Sequence, residues 1–299
     1  MASLPNPDLS WSVPVMRMGY AGRGLVYLTV AGFSLYAIWR GGQAESTESA
    51  LVDLEDTTGG GIVLILIFIG MLAYAAWRVI DAIWDLDDHG GDAKGIAARI
   101  AIAVTGLFHL SIAGAAFSLL FAGGGSGSGS DGSSLQGALS ALMQWPGGRW
   151  VAAAAGLVVL GAASYFFYKG WKETYRRHLV ANHFTTHWNG ALRAGLFAHG
   201  AIVAIVGGLI LYAAWQANAG AAGGTGEAFD WLTAQPYGRI LVGIICVGLV
   251  GFALFCFVNA VWRVVPKVSG GSVETLAARL EAQARAARPP RRQPQRQAL

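Results

Sequence analysis

Cysteine, charge and catalytic motifs are all scarce in this sequence. Its 299 residues hold two cysteines, Cys246 and Cys256, ten positions apart in one apolar run. A helix separates such a pair by about 15 Å, too far for a disulfide, so both read as small apolar packing residues. Charged residues make up 13% of the chain, against about 25% in an average soluble domain. No nucleophile elbow, P-loop, CxxC pair or pair of carboxylates inside an apolar segment occurs, so nothing in the chain points to an enzyme. The stretch before Arg17 is polar and proline-bearing, with no basic n-region and no apolar h-region. It does not read as a cleavable leader, which leaves the first apolar segment as its own insertion signal.

Apolar sequence is what the chain has in quantity: 54% hydrophobic residues and a mean hydropathy of +0.47. Six stretches stand out, at 18–39, 60–82, 97–121, 149–170, 191–217 and 238–264. Each has about 20 residues or more, enough to cross about 30 Å of hydrocarbon. They predict an all-α, polytopic membrane protein with six transmembrane helices and leave no length for a separate soluble domain. Eighteen of the 21 lysines and arginines fall in the tails and even-numbered loops, Arg17, Arg23, Arg78, Lys94 and Arg263 among them. Only Arg40, Arg149 and Arg239 fall in the odd-numbered loops. The positive-inside rule then puts both termini in the cytoplasm. The net charge of +4 is topogenic on this reading and carries no signal for a nucleic-acid partner. The basic, proline-rich tail over 269–299 reads as disordered beyond a short helix at 273–285, with anionic head groups as its functional alternative.

The chain repeats itself. RMGYAGRGLVYLTVAG at 17–32 aligns without gaps to RIAIAVTGLFHLSIAG at 99–114 and to RAGLFAHGAIVAIVGG at 193–208. Arginine leads each copy (Arg17, Arg99, Arg193), glycine comes eighth (Gly24, Gly106, Gly200) and again sixteenth (Gly32, Gly114, Gly208). The partner helices align on Gly70, Gly161 and Gly251, followed four residues on by Tyr74, Tyr165 and Phe255, and four more by Arg78, Lys169 and Asn259. Spacing by four keeps such residues on one helix face. The leading arginines read as snorkelling anchors, and the glycines as points of close helix approach in lipid. Three pseudo-symmetric helical hairpins follow, over 14–92, 93–186 and 187–268, between tails at 1–13 and 269–299.

The pattern resembles a family of bacterial multi-pass membrane proteins of unknown function built from three tandem two-helix repeats. The residues carrying it are Arg17-x-Gly19-Tyr20-Ala21-x-Arg23-Gly24 and Gly70-x-x-Ala73-Tyr74-x-x-Trp77-Arg78, supported by Gly148-Arg149 and Gly238-Arg239. The first copy has Thr58-Gly59 where the others have Gly-Arg. The resemblance implies a six-helix fold in a bacterial inner (plasma) membrane and transfers no catalytic residue.

The loops are acidic or glycine-rich. Residues 43–58 read as an acidic loop and 122–134 as a flexible linker, while ALSALMQWPGGR and AFDWLTAQPYGR read as short interfacial helices. WDLDDHGGD, at 84–92, lacks the EF-hand spacing and reads as a solvated loop. His109 and His199 lie deep in the third and fifth segments, where an ionisable residue marks a functional site by default. They read as interhelical hydrogen-bonding groups or, alternatively, as the two ligands of a haem. His183 and His187, four apart, are a weak metal pair, and no metal is expected. Arg78, Lys169 and Asn259 read as snorkelling groups or as a polar ring about a pseudo-threefold axis, with Tyr74 and Tyr165 beside them. The functional expectation is a non-enzymatic accessory, scaffolding or lipid-associated protein without a cofactor, whose partners are membrane lipids and other membrane proteins. Its rivals are a small-solute transporter or channel and a haem-bearing redox subunit using His109 and His199.

Overall fold

Backbone N–H and C=O groups have no water to bond in hydrocarbon, so apolar runs of this length resolve into helices. A computed structural model describes residues 9–121, 131–265, 275, 277 and 278. Among them six helices are long and apolar enough to cross a membrane. They are α1 (Ser12–Trp39), α3 (Gly60–Trp84), α4 (Ala93–Phe121), α6 (Gly148–Lys172), α8 (Asn189–Gln216) and α10 (Gly238–Trp262). The short helices are α2 (Thr47–Glu55), α5 (Asp131–Met143), α7 (His183–His187) and α9 (Thr225–Thr233). The expected linker core at 122–130 and the tail helix at 273–285 lie outside the described residues, save for 275, 277 and 278.

Each repeat places a short helix ahead of its second membrane helix: α2, α5 and α9. For the first repeat this corrects the acidic-loop reading, because Ser46 caps α2 by accepting from the Ser49 amide at 3.0 Å. The step into α3, α6 and α10 is the same in all three. A left-handed residue (Gly59, Gly147, Tyr237) precedes a glycine whose added Cβ would strike the carbonyl of Leu54, Leu142 or Thr233. Gly60 is therefore the first copy's counterpart of Gly148 and Gly238. The three second helices, each 25 residues long, begin in register.

Round the bundle the order of packed neighbours is α4, α3, α1, α10, α8, α6. This is a ring of alternating first and second helices with one contact absent, since no extended contact joins α4 to α6. The first and third hairpins pack internally, whereas the two helices of the second stand at the free edges. Leu51, Leu64, Ile67, Trp77, Ile202 and Val242 belong to the main apolar core. The end where α1 begins and α10 ends is the proximal end, the other the distal end.

Glycine contacts fix how the repeats correspond. A Cβ on Gly106 would meet Arg78 Cβ at 2.9 Å and the Ala75 carbonyl oxygen at 3.2 Å. One on Gly200 would meet Phe166 Cβ at 3.3 Å and the Ala163 carbonyl oxygen at 3.5 Å. Arg78 therefore corresponds to Phe166, and Gly24, against Phe257 at 2.8 Å, completes the set of inter-repeat contacts. This register differs by three residues from the alignment on Gly70, Gly161 and Gly251. Structurally Asp81, Lys169 and Asn259 correspond, so Arg78 is not their equivalent and Tyr74 is not that of Tyr165. The sixteenth-position glycines Gly32, Gly114 and Gly208 are not packing points, having nothing within 4 Å of an added Cβ.

The same register explains the missing contact. In the first hairpin Gly22 and Gly70 cross so closely that a Cβ on either would lie 2.5 Å from the other's Cα. In the third, Ala198 and Gly248 meet at that place. In the second the positions belong to Val104 and Val158, whose branched side chains hold the backbones apart. Gly161, the counterpart of the closely packed Gly251, has nothing within 4 Å. Phe108 is 61% exposed, where its counterparts Val26 and Ile202 are each 3% exposed.

A candidate anion site inside the open ring

Tyr20, Arg23 and Tyr27 recur at three- and four-residue spacing along α1, which sets them on the face turned to the ring interior. Arg23 is 5% exposed. Its Nη1 donates to the Tyr74 hydroxyl at 2.8 Å, and its Nη2 lies 3.4 Å from His199 Nε2. The guanidinium carbon stands 5.5, 5.2 and 5.0 Å from the ring centroids of Tyr27, Tyr74 and Phe252. Arg23 forms no ion pair among the described residues, and its Nε has no hydrogen-bond partner. This buried cation is held by phenols, an imidazole and aromatic faces, with no carboxylate to neutralise it. The topogenic reading of Arg23 is thus corrected.

Towards the proximal end the interior stays polar. Arg78 donates to the Tyr74 hydroxyl through Nη2 at 2.6 Å and Nε at 2.9 Å, and its Nη1 lies 3.5 Å from Asp81. Arg78 is therefore drawn inward rather than snorkelling. Arg263 closes this end, donating to Asp87 at 2.5 Å and to Asn259 Oδ1 at 3.1 Å. Asp81, inside α3, is fully buried, and Asp87 is paired, which corrects the solvated-loop reading for Asp87. Burial alone would raise the Asp87 carboxyl, but Arg263, with His178, Arg78 and Lys169 beyond it, brings it down to about 2. His178 is also held below its ordinary value, down to about 4, through burial first and the Arg263 charge second.

Lys169 reaches across from α6, its Nζ 5.4 Å from the Phe255 ring and 5.9 Å from the Tyr165 ring. It too forms no ion pair among the described residues. Asn259 is buried, its amide donating to the Phe255 carbonyl at 2.7 Å, while Tyr165 is 55% exposed on the open side of α6. Three guanidiniums (Arg23, Arg78, Arg263) share this interior with two carboxylates (Asp81, Asp87), and the Lys169 amine borders them.

His109 packs against Tyr74 with ring centroids 4.5 Å apart, and its Nδ1 lies 2.7 Å from the Thr105 carbonyl oxygen, leaving Nε2 without a partner. His199 stacks on Phe252 at 4.0 Å and turns Nε2 to Arg23. A haem between the two would need His199 Nε2, which lies 3.4 Å from the Arg23 guanidinium, and imidazole faces that Tyr74 and Phe252 occupy. His183 and His187 stack on each other at 5.9 Å, away from this interior. The leading arginines divide. Arg17 is exposed, whereas Arg99 caps α3 by donating to the Ala82 and Ile83 carbonyls at 2.6 and 2.8 Å. Arg193 lies 3.9 Å from Glu173 at the end of α6. For Arg99 helix capping thus replaces the simple snorkel, while Arg193 stays partly exposed beside the Glu173 carboxylate.

Sequence reasoning passed over Arg23, Tyr20, Tyr27, Asp81, Asp87 and Arg263. One signal for Arg23 was present: the seventh position of the repeat is polar in every copy, as Arg23, Thr105 and His199.

Comparison with known proteins agrees with the repeat structure. A family model described as Domain of Unknown Function (DUF1206) matches residues 18–85, 100–173 and 194–263. The chain is also similar to the uncharacterised protein YxxB of Bacillus subtilis (strain 168), at 24% identity over 267 residues that cover 88% of this chain and 95% of that protein. No solved structure matches it.

Proposed function

Since this chain belongs to the DUF1206 family, whose description carries no activity, we propose from its interior that it is a non-enzymatic, lipid-associated membrane protein that holds an anionic group inside its helix ring. It resides in a bacterial inner (plasma) membrane with both termini cytoplasmic, a reading supported by the uneven placement of lysine and arginine. The proximal end is then the cytoplasmic end. The observation that carries the function is Arg23, a guanidinium 5% exposed with no carboxylate paired to it among the described residues. A charge so placed is costly unless something neutralises it, and an anion does so.

A conducting path is the less favoured reading. Beyond Tyr27 towards the distal end the core is mostly apolar, with Val30, Leu64, Ile67 and Val242, and the buried Ser34 there is taken up by the Glu45 backbone.

The test is native mass spectrometry from mild detergent with lipid added back. Wild type is expected to take up phosphatidylglycerol at least about tenfold more strongly than phosphatidylcholine, and Arg23→Gln to lose that preference while staying folded. An Arg23→Gln protein that kept the preference would overturn the reading. Phosphatidylglycerol-independent flux of a solute into proteoliposomes would favour the transporter.

A further inference from the structure

The gap in the ring leads to the cations. Gly161, Tyr165 and Lys169 follow one another at spacings of four and so share one face of α6. Gly161 has no neighbour within 4 Å and Tyr165 is exposed, so this face borders the gap. Its third member turns inward, setting a primary amine near Phe255 of α10. Opposite, Val104 and Phe108 of α4 present apolar surface whose counterparts in the other hairpins are covered. The gap is thus walled by hydrocarbon along the membrane and ends at a lysine about one turn from the proximal end of α6. Deeper in the bundle Arg23 is buried with an Nε that lacks a partner, and His109 Nε2 and His199 Nδ1 are likewise unpartnered and buried.

An apolar slot in the membrane plane that ends at unneutralised cations has the two chemistries of a phospholipid in the right order. We propose that the α4–α6 gap is a lateral portal for one anionic phospholipid, with an acyl chain between Val104, Phe108 and Gly161 and the phosphate at Lys169 and Arg23. The inference rests on the anion-binding reading above and adds the ligand class and its route. A second copy of the chain could also cover the apolar walls, but it would bring no anion to the cations behind them.

The test uses the full-length protein in mild detergent, with binding of phosphatidylglycerol read by native mass spectrometry. Gly161→Trp fills the portal without touching Arg23 or Lys169, and Gly243→Trp, on α10 with nothing within 4 Å, is the control. Gly161→Trp is expected to lower lipid occupancy about tenfold and Gly243→Trp to leave it unchanged. Should Gly161→Trp not accumulate, Val158→Trp on the same wall serves in its place. sn-Glycerol 3-phosphate, the head-group chemistry without acyl chains, is expected not to compete at millimolar concentration. Equal competition by it would place the source of phosphate in water and overturn the portal. Undiminished lipid binding by Gly161→Trp, with loss in Arg23→Gln, would overturn the portal and leave the anion reading standing. Retention in both variants would remove both. A lipid-free dimer abolished by Gly161→Trp would assign the gap to a second copy and overturn the proposal.

Discussion

Arg23 and His199 hold the same place in the first and third repeats, and their side chains meet at 3.4 Å in the middle of the bundle. The repeat therefore does not make three like sites. It brings one position to a common centre, where a guanidinium from one copy faces an imidazole from another and Thr105 of the middle copy stands aside at the open edge.

Tyr74 is the shared acceptor of that centre, bonded to Arg23 on one side and to Arg78 on the other. Tyr74→Phe removes an oxygen that two buried guanidiniums use. The expected cost is about 2 kcal/mol, seen as a lowered thermal midpoint in detergent. Tyr165→Phe, on the exposed face of α6, is expected to change stability by less than about 0.5 kcal/mol. Equal effects from the two would show that the tyrosines are equivalent after all.

The crossing of Gly22 and Gly70 leaves no room for a side chain. Gly70→Leu is expected to cost about 3 kcal/mol or to prevent folding, by forcing α1 and α3 apart. Gly161→Leu, at the place aligned with Gly70 by sequence, faces open space and is expected to fold with little change. Thermal unfolding of both variants, side by side, checks the contrast.

Arg263 and Asp87 tie the end of α10 to the loop after α3 across 176 residues of chain. Asp87→Asn leaves Arg263 buried without its partner, and a loss of about 3 kcal/mol is expected. Replacing both, as Asp87→Leu with Arg263→Met, is expected to recover most of it. A double-mutant cycle on thermal stability measures the coupling, and additive losses would count against it.

Acid acts on this same corner. The folded state holds His178 at about 4, below its ordinary value, so the unfolded chain takes up that proton first. Stability is therefore complete above about pH 6.5 and falls as pH drops towards 4, with a ceiling of about 3 kcal/mol. Asp87 acts later: held at about 2, its contribution is present above about pH 4 and is lost as pH falls towards 2. The thermal midpoint is expected to fall between pH 7 and pH 4.5, and His178→Leu to flatten that slope. An unchanged slope in His178→Leu would place the titration elsewhere.

Hydropathy made six membrane helices legible because length and apolar composition suffice for a span. The eighth-position glycines were legible too, since all three contact the neighbouring repeat. The register of α3 was not. A shift of three residues turns a helix by about 60°, so Gly70, Tyr74 and Arg78 match Gly161, Tyr165 and Lys169 by identity while lying a turn away in space. Nor did the charge pattern tell Arg17, which is exposed, from Arg23, which is buried, since both stand at the start of one apolar run and only the packing of α3, α8 and α10 covers the second. The pairing of Asp87 with Arg263 depends on a fold-back of the chain that no local pattern encodes.

The helices most distant in sequence, α1 and α10, are packed together, while α4 and α6, separated by one loop and α5, are not. Covalent continuity and packed continuity thus break on opposite sides of the molecule. The α1–α10 contact divides the packed arc into two halves, α4–α3–α1 on one side and α10–α8–α6 on the other. Arg263 with Asp87 at one end, and Thr225 with Thr47 at the other, cross that contact and fasten it top and bottom. With Arg23 against His199 and Tyr27 against Phe252 between them, the two halves are held along the whole length of the contact, and the edges left without packed partners are those of α4 and α6.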